Sequence, residues 1–255
     1  MSDVLLTETA DCVLTLTLNR PAARNALSSE LMARLVEEFH AAEGDPDVLA
    51  VVLTGSDPAL CAGLDLREAG ASGLPSTVVT DPKESVWWVL SGMTTPVIGA
   101  VNGPAITGGL ELVLQCSFLV ASERAVFGDT HARVGVHPGG GLSGLLPQAV
   151  GLRKAREMSL TGNFIDAAEA HRLGLVNHVV PHEELLPTAL RLAADIAGGD
   201  PRTVAALNAT YRDVAELPLG DGLALERRRF SEWEYSPADI EARRRAVAER
   251  GRGQL

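Results

Sequence analysis

Apolar and polar residues alternate with a period of two over Leu5–Thr9 and Val13–Leu18, the spacing of a half-buried strand. A hairpin across Ala10-Asp11 is expected to join them, and Asn19-Arg20-Pro21 leaves the sheet. Leu31, Leu35, Val36 and Phe39 then recur at helical spacing behind Ser28 or Ser29, either of which can cap the helix. Gly44-Asp45-Pro46 stops it. Val48–Leu53 has the unbroken apolar run of a strand buried on both faces. The next stretch, TGSDPALCAGLDL, is too rich in Gly and Pro to be regular, and Glu68–Thr80 follows neither period, so a mobile loop is expected there. Lys83–Met93, which contains Trp87 and Trp88, is expected to be a helix.

The second half alternates more openly. Pro96–Val101 reads as a buried parallel strand ended by Asn102-Gly103-Pro104, and Gly108-Gly109 runs into the helical LELVLQC. Strands at Phe118–Ala121 and Val126–Gly128 follow, then a Gly-rich turn into a helix at Leu142–Val150. Helices at Arg153–Leu160 and Asp166–Leu173 and a short strand at Val176–Val180 complete the alternation, which places the chain in the α/β class. No periodic internal repeat is visible. From about His182 the pattern becomes helix after helix. A boundary near Gly198-Gly199-Asp200-Pro201 divides a core of residues 1–198 from a helical region of residues 199–255. Amphipathic helices with so little core of their own pack against a neighbour or another subunit.

Composition narrows the partners. At 255 residues the chain is one large domain or one domain with an appendage. A hydrophobic content of 46% with 4% aromatic residues means a core of Ala, Val, Leu and Gly. The net charge of −11 argues against nucleic acid or an anionic membrane as partner, but leaves room for an anionic small ligand at a local basic patch. Cys12, Cys61 and Cys116 are odd in number and widely spaced, which suits reduced thiols rather than a disulfide framework. The opening MSDVLLTETADC has acids where an export signal needs a basic region, so a cytoplasmic protein is expected.

One residue breaks the apolar pattern. Glu111 is the only charge between Pro96 and Cys116. An unpaired carboxylate in such surroundings costs several kcal/mol or is driven to its neutral form. Taken alone, Glu111 is either a structural group, capping its own helix or pairing with a distant Arg, or a chemical one. Other chemistries lack their spacing. Gly141-Leu142-Ser143-Gly144 is no nucleophile elbow, there is no phosphate-binding loop, and Pro181 between His178 and His182 spoils a zinc pair.

Several motifs in order carry a resemblance: NRPAARNAL at Asn19–Leu27, LCAGLDL at Leu60–Leu66, the Gly108-Gly109 stretch, FGDTHARVGVHPGGG at Phe127–Gly141 and TGNFIDAAEAHRLGLVNHVV at Thr161–Val180. Together they resemble the crotonase, or enoyl-CoA hydratase, superfamily over nearly the whole chain. The resemblance implies a crotonase-like spiral of repeated ββα units with a C-terminal helical oligomerisation region, assembled as a homotrimer or a dimer of trimers. It implies an acyl-CoA thioester as substrate and no required cofactor or metal. The oxyanion of an enolate would rest on the N–H groups of Leu64 and Gly108, and Glu111 would be one of two acidic residues that hold water. The second acidic position falls on His131, a departure from the hydratase pattern; Asp129, His131 and Arg133 would share a face if the segment is extended, with Asp129 orienting the imidazole. CoA would be held by Arg24, Ala26, Ala62, Leu64, Asp65, Leu66 and Gly108. The ending AERGRGQL lacks the aromatic that often closes over the nucleotide and leaves Arg250 and Arg252 as weak candidates. Hydration of 2-enoyl-CoA, double-bond isomerisation and non-catalytic acyl-CoA binding all remain open at this point.

Overall fold

The computed structural model describes residues 3–73 and 84–254. Strands β1 (Leu5–Ala10) and β2 (Val13–Leu18) form the expected hairpin, with the turn at Asp11-Cys12 rather than Ala10-Asp11. Both turn residues have left-handed backbones, φ 51° and 63°, the geometry that matches a tight turn to the twist of its strands. Beside β2 run β3 (Ala50–Gly55), β4 (Val97–Val101), β6 (Phe118–Ser122) and β9 (His178–Val180), all parallel, completing a six-stranded sheet. Helix α1 (Ser29–Gly44), capped by the Ser28 hydroxyl, packs on one face through Leu31, Leu35 and Phe39. On the other face Leu185, Ala189 and Ala193 of α9 (Leu185–Ala197) meet Val13, Val52, Ile98 and Val120. Cover on both sides explains why every residue of β3 and β4 is buried and why they read as unbroken apolar runs.

A second, three-stranded sheet holds β5 (Ala105–Ile106), β7 (Val126–Gly128) and β8 (Ile165–Asp166). It continues through single bridges, Cys61 with Ala105 and Leu27 with Leu64. Strands β2, β3, β4 and β6 of the large sheet are each followed by a short segment beside or in the small one and then by a helix. From β2 the chain goes through Leu27 to α1, and from β3 through Cys61 and Leu64 to α2 (Leu66–Ser72). From β4 it goes through β5 to α4 (Gly108–Leu114), and from β6 through β7 to α5 (His131–Val134). This is a spiral of ββα units.

Three expectations change. Glu68–Thr80 is not irregular throughout: α2 covers its start, because the Asp65 carboxylate accepts from the Arg67 and Glu68 N–H groups and caps it. The remainder of that loop, like Lys83 at the head of the next predicted helix, lies outside the described residues; helix α3 itself spans Val86–Gly92. Asp129, His131 and Arg133 do not share a strand face, since α5 begins at His131 and Arg133 turns out to the Thr161 carbonyl.

Helices α6 (Leu142–Val150), α7 (Leu152–Thr161) and α8 (Ala167–Leu173) follow, and then α10 (Pro201–Ala215), α11 (Leu219–Glu232) and α12 (Pro237–Gln254). Two compact units meet within α10, one ending at Asn208 and one starting at Ala209. Asn208 belongs to the first, where it bonds Thr94 and Ser117, so that unit reaches ten residues past the expected boundary at residue 198. In the second, Arg229 pairs with Asp213 and bonds Thr210, while Tyr211, Leu219, Phe230 and Ile240 are exposed.

Candidate active site

The parallel register of the small sheet builds the site. Because Cys61 faces Ala105, the same register sets Leu64 beside Gly108. The strip holding Leu64 is fixed on both edges. Ile106 N–H donates to the Cys61 carbonyl at 2.9 Å, while on the other edge Leu27 N–H donates to the Gly63 carbonyl at 2.8 Å. Buried Asn25 anchors its approach, donating to the Ser56 and Ala59 carbonyls. Gly63 lies at φ +94°, and a Cβ there would come within 3.0 Å of the Ile106 carbonyl, so only glycine fits. Among the described residues, no acceptor is paired with the N–H of Leu64 or of Gly108. A Cβ at Gly108 would sit 3.5 Å from Leu64 N; both amides border one small space. The buried Trp87 ring closes its side, with Nε1 donating to the Gly108 carbonyl at 3.0 Å. Two unpaired N–H groups converging in this way suit an oxygen that gains negative charge.

Glu111 lies one helical turn further, in the first turn of α4. It is 2% exposed, beside His131 at 6% and Asp129 at 1%. Glu111 Oε1 accepts from Gly140 N–H at 2.8 Å, and Oε2 stands 3.7 Å from His131 Nε2. Asp129 Oδ1 lies 2.7 Å from His131 Nδ1 and also accepts the His131 backbone N–H. An ionised carboxylate only accepts, so Nδ1 carries a proton and Nε2 is presented to Glu111. Burial pushes Glu111 above the ordinary glutamate range, against the opposing pull of Gly140 N–H and His131. Burial would raise Asp129 too, but the hydrogen bonds from His131, with the Ser159 side chain nearby, hold it below the usual carboxylate range. The structure thus brings Leu64, Gly108, Glu111 and His131 together, and Asp129 meets the imidazole at the start of a helical turn rather than along a shared strand face.

The proposed CoA-binding positions form one strip. Ala62 N–H donates to the Arg24 carbonyl and Asp65 N–H to the Leu27 carbonyl, both at 3.0 Å, which sets residues 24–27 alongside 62–65. Arg24 is exposed, with a left-handed backbone at φ 50°. Ala26 is buried, Ala62 half-buried and Leu66 exposed. The Asp65 carboxylate is already engaged: it caps α2 and pairs with Arg20 Nη2 at 2.8 Å, and Arg20 holds it below its usual range. Arg250 and Arg252 lie in α12, in the second unit.

Sequence reasoning missed several contributors. Gly140 acts through its backbone N–H, and its carbonyl is fixed by Gln115 Nε2 at 2.8 Å. Neither role leaves a mark in a Gly-rich turn. Arg20 was visible in the NRP motif as charge without an assignment. Thr107, just before Gly108, lies at φ 56°, ψ −112°, where a β-branched residue carries about 1–3 kcal/mol of strain. The thiols of Cys61 and Cys116 are pushed up to about 12 by burial and make no nucleophile. His182 is bonded to Ser122 and Asp57, and no cluster of three or more metal-ligating side chains occurs among the described residues.

The chain is similar to known proteins over most of its length. Residues 8–253 match the Enoyl-CoA hydratase/isomerase family. The chain is 40% identical over 219 residues to 2,3-dehydroadipyl-CoA hydratase of Escherichia coli K12, covering 86% of each chain. Among solved structures, an enoyl-CoA hydratase from Mycobacterium tuberculosis H37Rv is similar at 50% identity and a TM-score of 0.77, over 88% of this chain and 96% of that one. An enoyl-CoA hydratase from Bacillus anthracis superposes at a TM-score of 0.88 with 30% identity, over 97% of both chains. With motifs, spiral and matches agreeing from one end of the chain to the other, it belongs to the enoyl-CoA hydratase/isomerase family, within the crotonase superfamily.

Proposed function

We propose that the chain adds water across the double bond of 2-enoyl-CoA thioesters, using Glu111 and His131 as its proton-handling pair. The observation that carries this reading is the 3.7 Å gap between Glu111 Oε2 and His131 Nε2. It is too long for a direct hydrogen bond and short enough for one water to touch both groups. Glu111 takes a proton from that water as its oxygen bonds to C3. The electron pair of the double bond moves toward the thioester, and the enolate oxygen is held by the Leu64 and Gly108 N–H groups. C2 then receives the proton Glu111 has just accepted, directly or relayed through His131 Nε2, so both groups return to their starting states. Losing one donor from such a hole costs about 10²–10³ in rate. CoA enters as part of the substrate, and no other cofactor is needed.

Purified protein offered crotonyl-CoA, longer 2-enoyl-CoAs and 3-enoyl-CoAs should hydrate the 2-enoyl series. Turnover of the 3-enoyl series alone would instead favour isomerisation, for which one base shuttling a proton suffices. Tight acyl-CoA binding without turnover would make the chain a binding protein. Arg24 supports the nucleotide end of the reading, because an exposed guanidinium beside the strip suits a phosphate. Arg24→Ala should raise KM about ten-fold with kcat little changed, the size of one charge-assisted contact. The exposed apolar side chains of residues 209–255 support assembly as a homotrimer or a dimer of trimers; sedimentation equilibrium would distinguish these from a monomer.

A further inference from the structure

Hydration requires the Gly108 N–H to point at the substrate oxygen, and the residue that aims it is in a costly conformation. Thr107 has φ 56° and ψ −112°, a region in which glycine is the easy choice and a β-branched residue an outlier. The peptide from Thr107 to Gly108 is turned by that conformation, and Thr107 is tied down on every side. Its N–H donates to the Gly128 carbonyl at 2.8 Å, and its carbonyl accepts from Glu111 N–H at 2.9 Å. Its hydroxyl lies 2.6 Å from the Thr130 hydroxyl and accepts the Thr130 N–H at 3.0 Å. Thr130 in turn begins the turn that presents His131, its carbonyl accepting from Arg133 and Val134 N–H. The register that pairs Ala105 with Phe127 continues to set Gly108 beside Thr130. The two hydroxyls therefore join the start of α4, with the oxyanion donor and Glu111, to the start of α5, with His131.

We propose that the Thr107–Thr130 hydroxyl pair is a positioning device that aims the Gly108 N–H into the oxyanion corner and fixes His131 at its working distance from Glu111. It rests on the hydratase reading of the same site. Thr107 is not a catalytic group; it acts through its neighbours. A glycine would remove the strain and lose the tie, so the hydroxyl is what justifies threonine here.

The test compares Thr107→Val, Thr107→Ser, Thr107→Gly and Thr130→Val in crotonyl-CoA hydration, thermal unfolding and binding of acetoacetyl-CoA, an unreactive β-keto thioester whose enolate needs the same hole. Thr107→Val keeps the branching and loses the hydroxyl. Misplacing reacting groups by about an ångström costs up to about 10²-fold, so Thr107→Val and Thr130→Val should each lose about 10–100-fold in kcat with KM within about three-fold. Thr107→Ser should recover kcat to within about three-fold of the native chain, because the tie is retained. Thr107→Gly should unfold at the native temperature or above, since its strain is gone, yet lose kcat and acetoacetyl-CoA affinity like Thr107→Val. Native kcat and affinity in Thr107→Gly or Thr107→Val, or no recovery in Thr107→Ser, would overturn the proposal. If the native chain binds acetoacetyl-CoA but turns over no enoyl-CoA, the hydratase reading falls, and the affinity series still decides the role of the hydroxyls. If the native chain neither binds nor turns over these thioesters, both fall.

Discussion

Glu111→Gln is expected to lower kcat for crotonyl-CoA hydration by about 10³-fold, within the range for loss of a positioned general base. The amide keeps the size of the side chain and an oxygen able to accept the Gly140 N–H, so the loss reports the missing proton acceptor rather than a collapsed site. Substrate binding should change little, because the thioester oxygen and CoA are held elsewhere. The same substitution carries a stability signature. Burial holds the Glu111 carboxyl above its ordinary range, so the folded chain binds that proton more tightly than the unfolded chain. Native stability is then lost as pH rises through the folded value and regained as pH falls toward the unfolded one, about pH 4.3. The amide has no such penalty. Glu111→Gln should melt above the native chain at pH 8, with the difference closing near pH 4.5; a variant that melts lower at pH 8 would mean the carboxylate is a net structural asset. In the native chain, kcat/KM should fall on the acid side with a midpoint above that of an ordinary glutamate. An acid limb at or below about pH 4.3 would remove Glu111 from the base role.

His131→Ala should lower kcat by about 10²-fold, the lower end for a proton-transfer group. Its effect is expected to be smaller than that of Glu111→Gln because a proton accepted by Glu111 can also reach C2. Asp129→Asn should reproduce part of the loss, about ten-fold, since the imidazole would then lack the ionised acceptor that fixes its Nδ1 proton. Measured side by side, the two variants separate orientation from proton transfer. A loss under about three-fold in His131→Ala, with Glu111→Gln inactive, would leave Glu111 as the sole proton carrier.

What was legible in the sequence follows from what leaves a side-chain signature. Glu111 announced itself as a charge in an apolar run, and Leu64 and Gly108 through Gly turns whose order carried the family resemblance. Gly140 contributes a backbone N–H, which any residue possesses, and nothing in its side chain marks it. Helix α2 was hidden by Gly70 and Ser72, although Asp65 with Glu68 three residues later is a readable start signal. The strand at Val126–Gly128 ends where it was expected; the shared face of Asp129, His131 and Arg133 depended on an extended segment beyond it, and there Thr130 instead leads into a helical turn while bound to Thr107 from another turn of the spiral. The repeat itself stayed invisible for the same kind of reason. Leu27, Leu64, Gly108 and Thr130 occupy matching stations in backbone register, yet only the first two carry the same side chain.

Those matching stations also fix a distance. The span between the two oxyanion donors is set by the distance between neighbouring strands, about 4.8 Å, and not by the length of chain joining them. That spacing depends on β4 and β5 returning to their places beside β3 and Cys61, with Trp87 against the Gly108 carbonyl and Thr107 ahead of it, more than on how many residues lie between. The reacting end of the site is gauged by the sheet.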